Sequence, residues 1–372
     1  MKGETAILNR TRSDNVMTWL FVVVMLIGLP LFGVTLAGEI TAKYMEFPPL
    51  TRYVLHAGFS WPVFGVAAVL ILAIVLPFII RVCRSHKNVE PPPSSCHPFP
   101  WWGWLGVALG IAAWVLAWTR FRWFAQLQCF TFSPLWFAYI LVVNALTWKR
   151  TGQCVLKNRT GFFVVLFPVS AAFWWFFEYL NRFVQNWYYV GGADLTQLQY
   201  FIFATLPFST VLPAMLGTYE LLLSMPRASA GLDRFMNIEI ARPRVVAWVV
   251  LVSSCAGLAG IGVWPNYLFP LLWLSPLLII ASMQAIQGKS TIFSSIRHGN
   301  WRRIYLLAMA ALICGFFWEM WNYLSFAKWI YAVPFVYRFK IFEMPILGYA
   351  GYLPFGLECA VIADIIGSPD PA

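Results

Sequence analysis

The chain has 372 residues, of which 60% are hydrophobic and 11% are charged, and its formal net charge is +11. Soluble domains carry about 25% charged residues, so this composition excludes an ordinary soluble protein and predicts an integral membrane protein. The basic residues lie in short loops between apolar stretches. That placement indicates membrane topology rather than nucleic-acid binding.

Ten apolar stretches of about 20 residues predict an all-α, polytopic membrane helix bundle with about ten transmembrane helices. The first stretch is too long for the apolar core of a signal peptide, so we expect it to remain as a helix. In chain order the stretches are 17–38, 54–80, 102–119, 133–148, 161–181, 200–223, 245–264, 268–286, 304–326 and 345–366.

Lysine and arginine are distributed unevenly between the two sides of this predicted topology. With the N-terminus inside, 18 of the 26 basic residues fall in inner segments and 8 fall in outer ones. Because basic residues concentrate on the cytoplasmic side, both termini are predicted to be cytoplasmic. The membrane that we expect is a bacterial inner membrane.

Two breaks divide the chain into three predicted units. The segment EPPPSSCHPFP at 90–100 is predicted to be a linker, because consecutive prolines cannot continue a helix. It ends a two-helix N-terminal unit, residues 1–97. A polar and basic stretch later in the chain separates two four-helix units, which we place at 98–228 and 229–372.

Two aromatic stretches carry the same polar pair. FWWFFEYLN contains Glu178 and Asn181, and GFFWEMWN contains Glu319 and Asn322. Three residues are less than one helical turn, so the two polar side chains of each stretch share a helix face. Ionisable groups in so apolar a setting usually face a protein interior or cavity. We therefore interpret the repeated Glu-x-x-Asn as the chemical centre.

Other landmarks recur in the same order and predict an internal duplication of the eight-helix part. Each predicted repeat has four helices, so both copies enter the membrane in the same direction. Matching acids would then form two tiers along a central cavity. The landmarks are FTFSPLW and YLFPLLW, the two Glu-x-x-Asn pairs, Trp187-Tyr188-Tyr189 and Trp329-Ile330-Tyr331, and the acids Glu220 and Glu358 that follow Pro207 and Pro345.

Two interpretations of the first tier remain open. In the structural one, Glu and Asn join helices by hydrogen bonds worth about 0.6–2 kcal/mol, and Arg182, one turn further on, pairs with Glu178. In the functional one, an acid among aromatic rings stays protonated and donates a proton. The second copy has Tyr323 in place of Arg182, so Glu319 is the preferred acid, with Asn322 or Asn181 as the orienting group.

The segment GYLPFGLE at 351–358 resembles the membrane-embedded lycopene cyclases of the heterodimeric bacterial and fungal type. The likeness rests on Trp321-Asn322-Tyr323, Trp329-Ile330-Tyr331, and Pro354 with Glu358. That family has two adjacent acids in a Pro-x-Glu-Glu motif, whereas this chain has one acid displaced by two places. The likeness covers roughly residues 300–366 and, more faintly, 160–222.

The resemblance implies an enzyme that protonates a polyene and steers a carbocation without a redox cofactor. Such chemistry needs a protonated carboxyl, aromatic faces and an apolar cavity. Glu319 or Glu358 would be the general acid. We expect a membrane lipid or another lipophilic small molecule, such as an isoprenoid, as the substrate. The side chains expected to contact it are Trp175, Trp318, Trp321, Tyr323 and Arg182.

Two other function classes stay open at this point. Stacked carboxylates also suit a transporter or channel, in which they bind protons or cations between the repeats. Acids that only pair helices would suit a non-catalytic membrane scaffold. The seven cysteines and four histidines are scattered without ligand spacing, so we expect no metal and no cofactor.

Overall fold

The computed structural model describes residues 2–89, 97–192 and 195–367, and these are nearly all helical. Residues 90–96 of the predicted linker lie outside the described residues. The helices are α1 (Lys2–Leu36), α2 (Trp61–Ser85), α3 (Trp101–Trp118), α4 (Phe132–Thr151), α5 (Val155–Asn158), α6 (Thr160–Val184), α7 (Gln197–Phe208), α8 (Val211–Leu223), α9 (Pro243–Gly260), α10 (Pro265–Leu268), α11 (Leu271–Ile286), α12 (Arg302–Tyr323) and α13 (Tyr352–Ile366).

Eight helical segments of the described chain are long and apolar enough to cross a membrane. A ninth arises if the 3₁₀ helix Arg122–Phe130 and α4, which meet at a bend of 66°, form one span. Helix α11 has 16 residues and is a shorter apolar helix. The membrane helix bundle is therefore observed, whereas the number ten stays a prediction.

Helix boundaries follow local sequence signals. Helix α2 begins at Trp61 rather than at residue 54, with Pro62 in its first turn, where a missing N–H costs nothing. Helix α7 begins with a capping box, in which Thr196 and Gln199 each bond the other's backbone N–H. Helix α4 ends at Gly152, whose positive φ of 72° suits glycine.

The centre of the bundle is formed by α6, α8, α12 and α13, with α4 and α11 packed against them. Its largest fully buried side chains include Trp136, Phe177 and Phe355. Helices α12 and α13 approach closely at Gly356, where a Cβ atom would lie 2.3 Å from the Leu307 carbonyl oxygen. Small residues allow this contact in membrane bundles, so the GYLPFGLE segment packs directly on the helix that carries Glu319.

Two short antiparallel sheets depart from the expected all-α fold. Strand β1 (Trp187–Val190) pairs with β2 (Lys328–Tyr331), and β3 (Lys340–Ile341) pairs with β4 (Met344–Pro345). Strands β1 and β2 follow α6 and α12 and are rich in Trp, Tyr and Ile, which favour extended backbone. The first sheet joins segments that are far apart in sequence, and it sits directly beside both buried glutamates.

Candidate functional site

Glu178 is fully buried near the end of α6, and aromatic donors surround one of its oxygens. Trp174 Nε1, one turn earlier, lies 3.0 Å from Glu178 Oε1. Trp187 Nε1 at 3.1 Å and the Tyr189 hydroxyl at 2.6 Å donate to the same oxygen from β1. Glu178 Oε2 is buried without a hydrogen-bond partner. The carboxyl group is thus held through one oxygen only.

Glu319 occupies the same place near the end of α12 and is also fully buried. The hydroxyls of Tyr331, on β2, and Tyr352, at the start of α13, each donate to Glu319 Oε1 at 2.7 Å. Trp329 Nε1 donates to the Tyr331 hydroxyl at 2.9 Å. Glu319 Oε2 is likewise buried without a partner. The second carboxyl group is therefore held by hydroxyl groups rather than by indole N–H groups.

The strand tyrosines of both clusters stay protonated. Burial raises the pKa of the Tyr189 and Tyr331 phenols well above the usual value, and the nearby Glu178 and Glu319 carboxyl groups raise it further. A phenol can both donate and accept a hydrogen bond, whereas an indole N–H can only donate. Each strand tyrosine can therefore pass a proton between its carboxyl group and a ligand.

The two asparagines fasten the strands that carry these rings. Asn181 Nδ2 donates to the Trp187 carbonyl at 2.7 Å, and its Oδ1 accepts from the Asn186 N–H at 2.8 Å. Asn322 Nδ2 donates to the Trp329 carbonyl at 2.8 Å, and its Oδ1 accepts from the Trp329 N–H at 2.9 Å. Both side chains position the backbone after their helix, so the Glu-x-x-Asn spacing links the acid to the strand that covers it.

The sheet brings four of the rings onto one face. Its register places Trp187 opposite Tyr331, and Tyr189 opposite Trp329. Alternate residues of a strand point to the same side, and directly paired residues share that side. All four rings consequently project in one direction, and all four line the same cavity.

This cavity has a volume of about 660 Å³ and lies between the sheet and helices α2, α7, α11 and α13. Its size falls within the range of roughly 300–1,000 Å³ that is typical of small-molecule sites. The aromatic residues Trp174, Trp187, Tyr189, Tyr200, Trp273, Trp318, Trp329, Tyr331 and Tyr352 line it, together with many aliphatic ones. Both glutamates stand one layer behind this wall, bonded to side chains that form it.

Lys328 is the charged side chain among the described residues that line the cavity. Its Nζ atom lies 2.6 Å from Glu343 Oε1 and donates to the Tyr323 carbonyl at 3.1 Å. The ammonium group is therefore neutralised at the cavity edge by an ion pair that is mostly buried.

Three of the tryptophans and tyrosines expected to contact substrate lie away from the cavity wall. Trp318 lines the cavity, whereas Trp175 Nε1 donates to Thr205 Oγ1 at 2.9 Å on another face of α6. Trp321 is buried against Trp136, with ring centroids 5.3 Å apart. Tyr323, the third, is exposed at the end of α12. Adjacent aromatic residues on one helix face different directions, and Trp174 rather than Trp175 meets the site.

Arg182 does not form the expected ion pair with Glu178. Its Nη1 atom donates to the backbone carbonyl of Tyr44, in the segment after α1. The described ion pairs include none between Arg182 and Glu178. A difference between Glu178 and Glu319 therefore has to come from their aromatic partners rather than from Arg182.

The acids of the expected second tier meet different elements. Glu358 is buried on α13, where its Oε1 accepts from the Leu277 N–H of α11 at 3.2 Å and its Oε2 lacks a partner. Glu220 accepts from the Val155 N–H of α5 at 3.2 Å. Neither acid lines the cavity, although Pro354, one turn before Glu358, does.

Sequence reasoning missed two residues of the site, Trp174 and Tyr352. The spacing of four residues between Trp174 and Glu178 was a usable signal, because side chains at that separation meet on a helix. Tyr352 lies within GYLPFGLE but comes from a segment 33 residues beyond Glu319. Its contact depends on how α13 packs on α12, which local spacing does not encode.

The described residues contain no group of three or more His, Cys, Asp or Glu side chains that could hold a metal ion. Comparisons of the chain with family models, with curated proteins and with solved structures find no match. Arguments about function therefore rest on the geometry of the two glutamate clusters and the cavity between them.

Proposed function

We propose that the protein is an integral membrane enzyme that acts on a lipophilic, isoprenoid-like substrate by acid–base chemistry without a redox cofactor. One observation carries this proposal. An apolar cavity is walled by aromatic side chains, and hydroxyls of that wall are hydrogen-bonded to two buried carboxyl groups. Such a wall binds hydrocarbon and delivers protons at the same surface.

The proposed reaction needs one proton and no other reactant. Glu319 gives a proton to the oxygen of Tyr331 or Tyr352, which passes its own hydroxyl proton to a carbon of a substrate double bond. The π electrons form the new C–H bond and leave a carbocation. Loss of a proton from a neighbouring carbon then completes an isomerisation or cyclisation, and electrons and atoms balance without an oxidant.

Aromatic rings around the cavity suit the charged intermediate of this reaction. The faces of Trp and Tyr attract cations by about 0.5–2 kcal/mol each, most strongly in the absence of water. Trp318 and Tyr352 lie close together in the wall beside Glu319, with ring centroids 5.9 Å apart. We assign them the stabilisation of positive charge near the proton donor.

Glu178 is proposed to accept the returning proton. Two of its three partners, Trp174 and Trp187, are indole N–H groups that only donate hydrogen bonds. Donors of this kind stabilise an ionised carboxylate, which is the form that takes up a proton. Tyr189 is the partner that connects this carboxylate to the cavity.

The proposal includes a duplication that produced two parallel four-helix repeats, at 98–228 and 229–372. In its support, Glu178 and Glu319 are 141 residues apart, and each sits beside a Trp-x-Tyr strand. Pairing Trp187 with Tyr331 and Tyr189 with Trp329 is the register that a two-fold axis through the sheet produces.

Packing on the sheet supports the same duplication with a revised alignment. Trp273 stacks on Trp187, and Phe132 packs on Trp329. Phe132 and Trp273 are 141 residues apart, like the two glutamates, whereas the FTFSPLW and YLFPLLW echo implied 137. By the revised spacing Glu358 corresponds to Gly217 and not to Glu220, so the second tier of matched acids leaves the proposal.

A transporter or channel is less well supported. The described wall of the cavity offers one charged side chain, Lys328, which is already paired with Glu343. Ions and protons that cross a membrane need polar groups along their path. A scaffold without a ligand would have no use for the cavity. We also keep the predicted orientation, with both termini cytoplasmic in a bacterial inner membrane, as part of the proposal.

The experiment is a comparison of membrane lipids by mass spectrometry. Cells that produce the wild-type protein are expected to change the profile of their neutral isoprenoid lipids relative to cells with an empty vector. Glu319→Gln keeps the size and the acceptor oxygen of the side chain but carries no acidic proton, so its profile should match the vector. Glu220→Gln, far from the cavity, is the matched control and should behave like wild type. Identical profiles for all four samples would contradict the proposal.

A further inference from the structure

Helix α2 differs from every neighbour of the cavity in how little of it is covered. None of its 25 residues is buried, and several remain more than half exposed, including Leu70 at 58% and Ile74 at 65%. Its side chains are almost all apolar, with a mean hydropathy of 3.1. A helix of this composition belongs in the hydrocarbon of a bilayer, and lipid is therefore the medium that surrounds it.

Contacts hold α2 mainly at its two ends. At its start, the Ser60 N–H donates to the Phe335 carbonyl at 2.9 Å. At its end, Arg81 Nε and Nη2 donate at 2.9 Å to the carbonyls of Gly231 and Arg234, and Phe78 packs on Phe235. The middle of the helix has no comparable fastening among the described contacts.

The middle of α2 nevertheless forms one wall of the cavity. The residues that line it are Ala67, Leu70, Ile71, Ile74 and Val75. Their spacing of three, four, seven and eight residues defines a single helix face. These aliphatic side chains face the aromatic wall across a space that protein does not fill, although well-packed interiors leave few such voids.

We propose that the middle of α2 is a movable lateral wall, past which the hydrocarbon chain of a membrane lipid enters the cavity from the bilayer. This inference rests on the proposed function for the identity of the ligand as a lipid. The wall on the α2 side carries aliphatic groups only, so it offers nothing to water or to a charged solute. Fixed ends and an unfastened middle allow the helix to bow outward without unfolding.

Cys129 provides a reporter inside the chain, because it is a free cysteine that lines the cavity. The other thiols with exposure, Cys83 and Cys255, and also Cys96 are replaced by serine, which leaves the buried cysteines in place. The protein in lipid vesicles is treated either with an apolar, membrane-soluble maleimide or with a permanently charged methanethiosulfonate. Labelling is followed by mass spectrometry of the intact protein. Cys129→Ser is the control that should abolish it.

Entry from the bilayer predicts that the apolar reagent labels Cys129 and that the charged reagent does not. Ala67→Trp, which puts a large ring on the cavity face of α2, should slow labelling by about tenfold or more, because it fills the passage. Ala68→Trp places the same ring on a neighbouring position that does not line the cavity, and it should label like the parent. Equal labelling by both reagents, or equal rates for the two tryptophan variants, would overturn the proposal.

Labelling requires no turnover, so this inference and the proposed function fail in different ways. Glu319→Gln in the same cysteine background should label at the parent rate. If its lipid profile equals that of wild type while the apolar reagent still selects Cys129, the enzyme proposal fails and lateral entry stands. If the profile changes as expected but only the charged reagent reaches Cys129, the reaction stands and lateral entry fails.

Discussion

The clusters around Glu178 and Glu319 share a plan and differ in one respect, the chemistry of the groups that touch the acid. In both, one carboxyl oxygen takes all the hydrogen bonds and the other takes none. Glu178 receives two indole N–H bonds and one phenol, whereas Glu319 receives two phenols. Indoles only donate, but phenols also accept. The comparison teaches that two similar frames can favour opposite ends of a proton transfer.

The largest expected effect separates the two acids directly. Glu319→Gln should lower product formation by about 10²–10⁴-fold, the usual contribution of a general acid. Glu178→Gln should cost less, because water or another base can remove a proton from a carbocation. Product is measured by mass spectrometry of membrane lipids at equal protein levels. Equal losses for the two variants would remove the assigned difference in roles.

The next prediction concerns the two phenols that bond Glu319. Tyr331→Phe or Tyr352→Phe alone leaves one hydroxyl to carry the proton, so each should lower product formation only modestly. The double variant should approach the loss seen for Glu319→Gln, a strong non-additivity of the kind that residues in one network show. Strictly additive effects would argue against a shared relay. Tyr349→Phe, outside the cluster, serves as the control.

A smaller effect on the reaction and a clear effect on stability are expected for the asparagines. Asn181→Ala and Asn322→Ala each remove two hydrogen bonds to a buried strand and leave backbone groups unpaired. Each should lower the free energy of unfolding by about 1–3 kcal/mol, measured by denaturant unfolding in detergent. Because both asparagines make the same contacts, the two losses should agree. A neutral effect of either substitution would contradict the strand-fastening role.

The smallest effect on the reaction is expected for Arg182→Ala. Its guanidinium bonds the Tyr44 carbonyl and not Glu178, so product formation per folded protein should match wild type. Loss of a hydrogen bond from a charged group should still lower stability by about 1.5–3 kcal/mol. A fall in product formation without a fall in stability would restore the expected pairing between Arg182 and Glu178.

Sequence alone predicted the parts of this molecule that local patterns encode. Apolar stretches located the membrane helices, and the Glu-x-x-Asn and Trp-x-Tyr echoes pointed to the residues that form the two clusters. The sheet was missed because its strands lie 141 residues apart, and pairing of such short strands depends on how the bundle brings them together. The choice between Trp174 and Trp175 needed the rotation of α6, which an all-aromatic stretch does not reveal.

The cavity itself had no signal in the sequence. Its wall combines residues from α2, α7, α11, α13 and both strands, and an apolar residue that faces a void looks the same in a sequence as one that faces lipid. The aliphatic residues of α2 were read simply as part of a spanning helix. Only the packing of the bundle shows that one face of that helix meets the aromatic wall.

Deuterium incorporation tests the central claim most directly. Membranes that contain the protein are incubated in heavy water, and their neutral isoprenoid lipids are compared by mass spectrometry with those of Glu319→Gln membranes. A proton delivered from an exchangeable carboxyl and phenol ends on carbon, so wild-type product should gain one deuterium and the variant should form none. Product that forms without deuterium on carbon, or that forms equally in the variant, would contradict the account.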